Sequence, residues 1–125
     1  MLSSLVLTLA VVTGAQHWTA YSTTAMSITG DVTFTPQKMT FSNGTSVALV
    51  RARAMSSTST LYALSGKNPA LLRGNTLCST KLPGYVLIER KGTMVYLTFY
   101  SAGKGVPLGA NAARTLCATY NYGAK

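Results

Sequence analysis

Acidic side chains are almost absent from this chain of 125 residues, which has eleven lysines and arginines but only two carboxylates, Asp31 and Glu89. It also has a single histidine, His17. Hydrolysis by paired acids would require Asp31 and Glu89 to converge, and a Ser–His–acid triad would require His17. His17 lies near the N-terminus, where chains commonly fray. These shortages predict that the protein is not an enzyme.

Sequence motifs for metals and cofactors are missing as well. The chain shows no zinc-ligand spacing, no glycine-rich phosphate loop and no dinucleotide-binding fingerprint. Two cysteines and one histidine do not supply the four ligands of a structural zinc site. We therefore expect no metal and no cofactor.

The only two cysteines are Cys78 and Cys117, and we expect them to form one disulfide. A reactive thiol would need a neighbouring base or cation, for which the sequence gives no indication. A bridge that closes a loop of roughly 40 residues stabilises a fold by roughly 4 kcal/mol in the chain-entropy account. The expected role of the cysteines is therefore structural.

The first fifteen residues contain no charged side chain, and residues 5–12 form an apolar run. That run is too short to cross a bilayer as a helix. Thr13 and Ala15 supply the small residues that a signal peptidase recognises, so we predict a signal peptide at 1–15 and a single β domain at 16–125. The protein would then be exported, to the periplasm or outside the cell, with no transmembrane segment in the mature chain. Because the leader lacks a basic residue, a buried first strand or a truncated start are the alternatives.

The pattern of apolar residues predicts strands throughout the domain, and no segment has the length and periodicity of a packed helix. Short strands separated by turn signals are typical of a small antiparallel β-barrel or sandwich, here of about 7–8 strands, with one disulfide and a lipocalin-like general layout. The strands are expected at residues 26–35, 39–41, 46–54, 61–64, 85–88, 94–100 and 115–122. Single helical turns are expected at 70–72 and 110–114.

The central feature is a hairpin at residues 85–100, with Arg90 and Lys91 at its tip. Its second arm is apolar on both faces, which predicts a strand that is covered on both sides. The strongest turn signal is Asn43-Gly44, a pair that suits the positive φ angles of a type I′ turn. In the last strand, Leu116 is expected on the same face as the alternating residues Ala118, Tyr120 and Tyr122.

The net charge of +9 is the most unusual bulk property of the chain. Such a charge favours anionic partners, although it also serves ordinary solubility. Arg51 and Arg53 alternate along one strand and are expected to project from one face, while other cations lie in loops and turns. The candidate binding surface comprises Arg51, Arg53, Lys67, Arg73, Lys81, Arg90, Lys91 and Lys104.

A leader followed by a β domain with one disulfide resembles, in general layout, the small periplasmic barrels that inhibit lysozymes or proteases. The resemblance covers the layout only, and no functional residue is carried over from it. The sequence is best interpreted as an exported, non-enzymatic binding protein, inhibitor-like or an adaptor, whose macromolecular partner is an acidic protein or an anionic envelope polymer. Nucleic acid is a further candidate partner without a supporting motif.

Two other functions remain open at this point. The alternating Met, Tyr and Phe faces would also suit a lipocalin-like carrier that holds a small apolar ligand inside the barrel. The doubly apolar strand at 94–100 would also suit a structural or assembly subunit of the envelope, in which another copy covers that strand.

Overall fold

The structure, a computed structural model, describes residues 14–65, 68–103 and 105–124. Eight antiparallel strands form a closed barrel, in which each strand pairs with its neighbours in sequence and β1 pairs with β8. The strands are β1 (Gln16–Ala20), β2 (Val32–Thr35), β3 (Lys38–Phe41), β4 (Ser46–Ala54), β5 (Ser59–Ser65), β6 (Pro83–Lys91), β7 (Met94–Ser101) and β8 (Leu116–Ala124). The predicted all-β fold is confirmed, as a barrel with one disulfide.

The connections alternate between the two ends of the barrel, and the two ends differ in construction. The turn end carries three short connections, at 36–37, 55–58 and 92–93, together with the first residue of β1. The loop end carries the longer connections, which contain a π-helical turn (Ala25–Thr29), a 3₁₀ turn (Leu72–Gly74) and the helix α1 (Ala110–Thr115). Cys78 and Cys117 form a disulfide at the loop end.

The barrel interior is filled by the side chains of alternating strand residues. Trp18 stacks on Phe34 with ring centroids 4.9 Å apart, and Phe99 meets Tyr120 edge to face at 5.8 Å. The inward-facing side chains that are no more than 4% exposed are those of Trp18, Val32, Phe34, Met39, Phe41, Val47, Leu49, Val86, Ile88, Val95, Leu97, Phe99, Tyr120 and Tyr122. Burial of this apolar surface is the main source of stability.

The structure corrects the prediction for the N-terminal part of the domain. The strand expected at 26–35 begins only at Val32, because residues 25–29 form a π-helical turn in which the Gly30 amide donates to the Ala25 carbonyl at 2.7 Å. Ala25 and Thr29 are both fully buried, and their spacing of four residues suits a helical turn. The segment around His17, expected to fray, is the strand β1.

The outer face of β7 differs from the prediction as well. Val95, Leu97 and Phe99 point into the core, but Met94 and Tyr96 on the opposite face are half-exposed. A barrel wall has one face on the core and one toward solvent, so the strand is covered on one side only. Phe99 and Tyr100 of β7 pair with Ala118 and Leu116 of β8, so Cys117 lies in a bulge of β8. The bulge turns Leu116 away from the face of Ala118, and Leu116 is 52% exposed.

The turn at Ser42–Thr45 is formed where it was predicted but with other geometry. Gly44 has a φ of 90°, whereas Asn43 is not among the residues with positive φ, so the turn is not type I′. The Asn43 side chain instead accepts a hydrogen bond from the Thr45 amide at 3.2 Å, an Asx-type contact. Its amide group donates to the Ala70 carbonyl at 2.8 Å, which ties this turn to the connection after β5.

The single helical turns are close to their predicted places. Helix α1 (Ala110–Thr115) covers the segment expected at 110–114. The other turn lies two residues later than expected, at Leu72–Gly74, and includes Arg73 with a φ of 55°.

Buried hydroxyl groups connect the loop end to the barrel wall. The hydroxyls of Tyr122 and Thr29 lie 2.6 Å apart, and the Tyr120 hydroxyl donates to the Leu77 carbonyl at 3.2 Å. Burial raises the pKa of Tyr120 to about 12 and also raises the pKa of Tyr122. Both tyrosines therefore stay neutral at physiological pH and keep a proton for these hydrogen bonds.

Gly30 and Gly44 provide a matched pair of substitutions. Both have positive φ, but an added Cβ at Gly30 would collide with the Ser42 side chain, 2.6 Å from its Cβ, whereas Gly44 has open space around it. Gly44→Ala should lower the free energy of unfolding by about 1–2 kcal/mol through backbone strain. Gly30→Ala should lower it by a further ~1–3 kcal/mol through overpacking. Urea unfolding of both variants with the disulfide intact measures the difference, and equal losses would contradict the tight packing at Gly30.

Candidate cationic surface

The barrel topology separates the predicted cations into two groups. Arg51 and Arg53 lie in the half of β4 nearest the turn end, and Arg90 and Lys91 end β6 at the same end. Arg73 and Lys81 lie in the connection between β5 and β6, at the loop end. Lys67 and Lys104 fall outside the described residues. Four of the predicted cations therefore lie at the turn end, and the rest of the described ones lie at the loop end.

Each end also has a cation that the sequence reasoning did not include. Lys38 begins β3 at the turn end and is exposed. Arg114 lies in α1 at the loop end and is exposed. The signal for Lys38 was its position two residues after Pro36, a residue that ends a strand and so marks a turn. No comparable pattern singled out Arg114.

A β-bulge separates the side chains of Arg51 and Arg53. Arg51 pairs with Tyr62 and Arg53 with Leu61, so Ala52 is the extra residue. Leu61 and Tyr62 are consecutive residues of β5 and therefore point to opposite faces of the barrel wall. Because paired residues share a face, Arg51 and Arg53 point to opposite faces as well. Arg51 lies on the side of the inward-facing Tyr62, and Arg53 on the outer face. The expectation that the two arginines share a face was wrong, because the bulge shifts the register between them.

The second half of β4 extends beyond its neighbour on one side. β3 pairs with β4 only at Ser46, Val47 and Ala48, and the Leu49 amide donates to the Gln37 carbonyl at 2.9 Å. Residues 50–54 therefore form a strand edge next to the turn end. Charged side chains and bulges on such an edge discourage pairing with other chains, which is a structural explanation for Arg51 and Arg53 that needs no ligand.

Arg90 lies at an inward-facing position rather than at the hairpin tip, which Gly92 and Thr93 form. Its guanidinium carbon lies 5.3 Å from the centroid of the Trp18 ring and 5.7 Å from that of Phe34. Its Nη1 donates to Gln16 Oε1 at 3.0 Å. Arg90 is thus a half-buried cation that closes the turn end of the core through cation–π contacts.

Lys91 is exposed beside the last turn, on the outer face. Its Nζ lies 5.8 Å from the centroid of the Tyr96 ring. Glu89 also faces outward, opposite Tyr96 in the pairing of β6 with β7. The one carboxylate of this part of the barrel therefore lies on the wall, while Arg51 and Arg90 are on the inward-facing side of their strands.

Small hydroxyl side chains border the cations at the turn end. The connection 55–58 is rich in serine and threonine, and the Thr58 carbonyl accepts a hydrogen bond from the Arg90 amide at 2.9 Å. A small cavity of about 90 Å³ opens here, lined by Ser57, Thr58, Thr60, Tyr62, Ile88 and Arg90. Its size suits a water or a small polar group better than an apolar ligand.

The loop-end cations have other surroundings. Arg73 Nη1 donates to the Ser27 carbonyl at 3.1 Å, which holds the side chain against the π-helical turn. Lys81 and Arg114 line a cleft of about 510 Å³ together with Ser101, Ala102, Asn111 and Thr115. Arg73 and Lys81 lie in one connection and Arg114 lies in the helix of another, so none of these three cations is on a strand.

The groups with catalytic potential lie apart. Asp31 precedes β2 at the loop end, where its carboxylate accepts a hydrogen bond from the Ala20 amide at 2.8 Å, whereas Glu89 is near the opposite end. His17 Nδ1 lies 3.2 Å from Thr33 Oγ1 on the barrel surface. Within the described part of the chain, no group of three or more His, Cys, Asp or Glu side chains could hold a metal ion.

No protein-family model, curated protein or solved structure matches this chain. Function is therefore inferred from the surface itself.

Replacing Arg90 tests its role at the turn end of the core. Arg90→Gln removes two ring contacts and the bond to Gln16, and should lower the free energy of unfolding by about 1–2 kcal/mol. Trp18 is the only tryptophan of the chain, so its fluorescence should shift to longer wavelength as water reaches the ring. Lys91→Gln is the matched control, because it removes the neighbouring charge from an exposed site and should leave both readouts nearly unchanged. Identical behaviour of the two variants would contradict the stacking of Arg90 on the core.

Proposed function

We propose that this chain is an exported, non-enzymatic protein that binds an anionic macromolecular partner through the cations of its turn end. The turn-end surface consists of Lys38, Arg51, Arg53, Arg90 and Lys91. The observation that carries the proposal is the convergence of two strand segments, the end of β4 and the end of β6, which bring four of these cations to the same end of the barrel.

Arginine predominates on this surface, which favours recognition of oxyanions. The planar guanidinium group offers several donors that match carboxylate, sulfate and phosphate groups, and it also stacks on aromatic rings. Arg90 is already held by the rings of Trp18 and Phe34, so less conformational entropy is lost when it binds a partner. Arg51, which opposes Tyr62, places a second guanidinium on the inward-facing side of its strand.

The charge balance of the whole chain supports long-range attraction to such a partner. With a net charge of +9 and two carboxylates, the protein attracts polyanions before any contact forms. Asp31 accepts a hydrogen bond from a backbone amide at the loop end, and Glu89 is the acidic side chain nearest the turn end. An acidic protein surface or an anionic polymer of the cell envelope has the complementary charge.

The filled interior gives the carrier alternative no support. Trp18, Phe34, Phe99 and Tyr122 occupy the space in which a lipocalin holds its ligand, and each is no more than 3% exposed. The assembly-subunit alternative draws on the half-exposed outer face of β7. That face gives no indication of what would cover it, so the cationic surface supports the stronger proposal.

The proposal applies to an exported protein. The Cys78–Cys117 disulfide is compatible with an exported protein, because such bonds persist in oxidising compartments. Among the described residues, no helix has the length and apolar character needed to cross a membrane. Cleavage of the leader before Gln16 remains the predicted processing step.

Two triple variants with the same change in charge test which end binds. Arg51→Gln, Arg53→Gln and Lys91→Gln together remove three of the five cations of the turn-end surface, while Arg73→Gln, Lys81→Gln and Arg114→Gln together remove three cations of the loop end. Both sets replace exposed side chains, and Arg90 is left in place. Binding of each protein to heparin and to an acidic protein is measured by titration over a range of salt concentrations.

The turn-end variant should bind roughly 100-fold more weakly at low salt, because each of the three cations it loses contributes about 1 kcal/mol of binding free energy at an anionic surface. Its affinity should also depend less steeply on salt, while the loop-end variant should stay close to the parent protein. Equal losses of affinity in the two variants would mean that net charge alone, and not the turn end, determines binding. No binding by the parent protein at low salt would overturn the proposed function.

A further inference from the structure

Gln16 combines two properties that have chemical consequences if the leader is removed. It directly follows the predicted cleavage site after Ala15, and it is also the first residue of β1, where it pairs with Phe34. Gly14 and Ala15 are exposed and belong to no strand. A peptidase that cut after Ala15 would therefore leave the barrel strand complete and Gln16 as the new N-terminus.

The side chain of Gln16 has a defined place at the turn end. Its Oε1 accepts a hydrogen bond from Trp18 Nε1 at 3.2 Å and another from Arg90 Nη1 at 3.0 Å. These contacts use the oxygen of the side-chain amide and do not depend on its nitrogen.

We propose that the mature chain is modified at Gln16, which cyclises to pyroglutamate, and this inference rests on the export proposed above. The new amino nitrogen forms a bond to the side-chain carbonyl carbon Cδ, and the Cδ–Nε2 bond breaks. The side-chain amide nitrogen leaves as ammonia, taking with it a proton from the amino group. The reaction needs no oxidant or co-reactant. Oε1 remains as the lactam carbonyl oxygen, a group that still accepts hydrogen bonds.

Cyclisation changes the charge at this position. A free N-terminus carries a positive ammonium group over much of the physiological pH range. At Gln16 that group would belong to the same residue whose side chain binds the Arg90 guanidinium. Because like charges repel, the neutral lactam suits this position better than the ammonium group.

Cyclisation also protects the strand on which barrel closure depends. β1 pairs with β2 on one side and with β8 on the other, and it is only five residues long. Stepwise removal of residues from its N-terminus would delete Gln16 and then approach Trp18, a core residue that is 1% exposed. A pyroglutamyl end lacks the free amine that aminopeptidases require.

The test uses the full chain with its own leader, expressed in a secreting host. The exported protein is purified with its disulfide intact and incubated at neutral pH, and its intact mass and N-terminal peptide are determined by mass spectrometry. The expected product begins at Gln16, is lighter than the uncyclised chain by one ammonia, and is blocked to sequential N-terminal degradation. Gln16→Asn is the matched control, because its shorter side chain cannot form the five-membered lactam, and it should keep a free N-terminus.

The possible failures separate the two proposals. An exported chain that begins at Gln16 and keeps a free amine after prolonged incubation would overturn the cyclisation and leave export intact. A chain that begins at another residue would overturn the modification at Gln16. A chain that is retained in the cell with residues 1–15 attached would overturn the export on which the inference rests.

Discussion

Closure of the barrel by β1 is the constraint on which the rest of the structure depends. This strand of five residues pairs with β2 and β8 and places Trp18 in the centre of the interior. Trp18 stacks on Phe34, and its ring centroid lies 6.2 Å from that of Tyr122. Its indole nitrogen donates a hydrogen bond to Gln16 Oε1. Without β1, the edges of β2 and β8 would be unpaired and the aromatic interior would be open to water. Strand edges of that kind favour association with other chains.

The same aromatic core organises the turn end of the barrel. Arg90 is at an inward-facing position because β6 keeps its alternation up to the last turn, and the rings beneath it stabilise the guanidinium group. The bulge at Ala52 then divides Arg51 from Arg53, so that one arginine lies on the inward-facing side of β4 and the other on the wall. The result is a surface of cations at one end of a solid barrel, which is suited to contacting a large partner and not to enclosing a small one.

Sequence patterns predicted the features that depend on neighbouring residues. The alternation in β7, the turn at Asn43-Gly44 and the helical turn of α1 follow from local chemistry, and the structure contains each of them. The disulfide joins cysteines 39 residues apart and was predictable because the chain has only two cysteines. The features that the sequence patterns missed depend on contacts between residues that are distant in sequence. The π-helical turn before Gly30 forms because Ala25 and Thr29 are buried against the barrel, and Thr29 is held there by Tyr122.

The cationic surface was predictable in composition but not in arrangement. Each arginine and lysine could be read from the sequence, whereas their division between two ends required the strand order of the closed barrel. The shift at Ala52 depends on the register between β4 and β5, which the pattern of Arg51 and Arg53 alone suggested wrongly. A one-residue change of register moves a side chain to the other face of its strand, and the sequence of β4 alone does not show where its pairing with β5 shifts.

The most direct measurement of the central claim is a map of amide chemical shifts by NMR while a short heparin oligosaccharide is added to the mature, disulfide-bonded protein. The account predicts that the largest changes occur at residues 50–54 and at Arg90 and Lys91, and that they disappear at high salt because the interaction is ionic. Changes centred instead on Arg73, Lys81 and Arg114, or spread evenly over both ends of the barrel, would contradict a binding surface at the turn end.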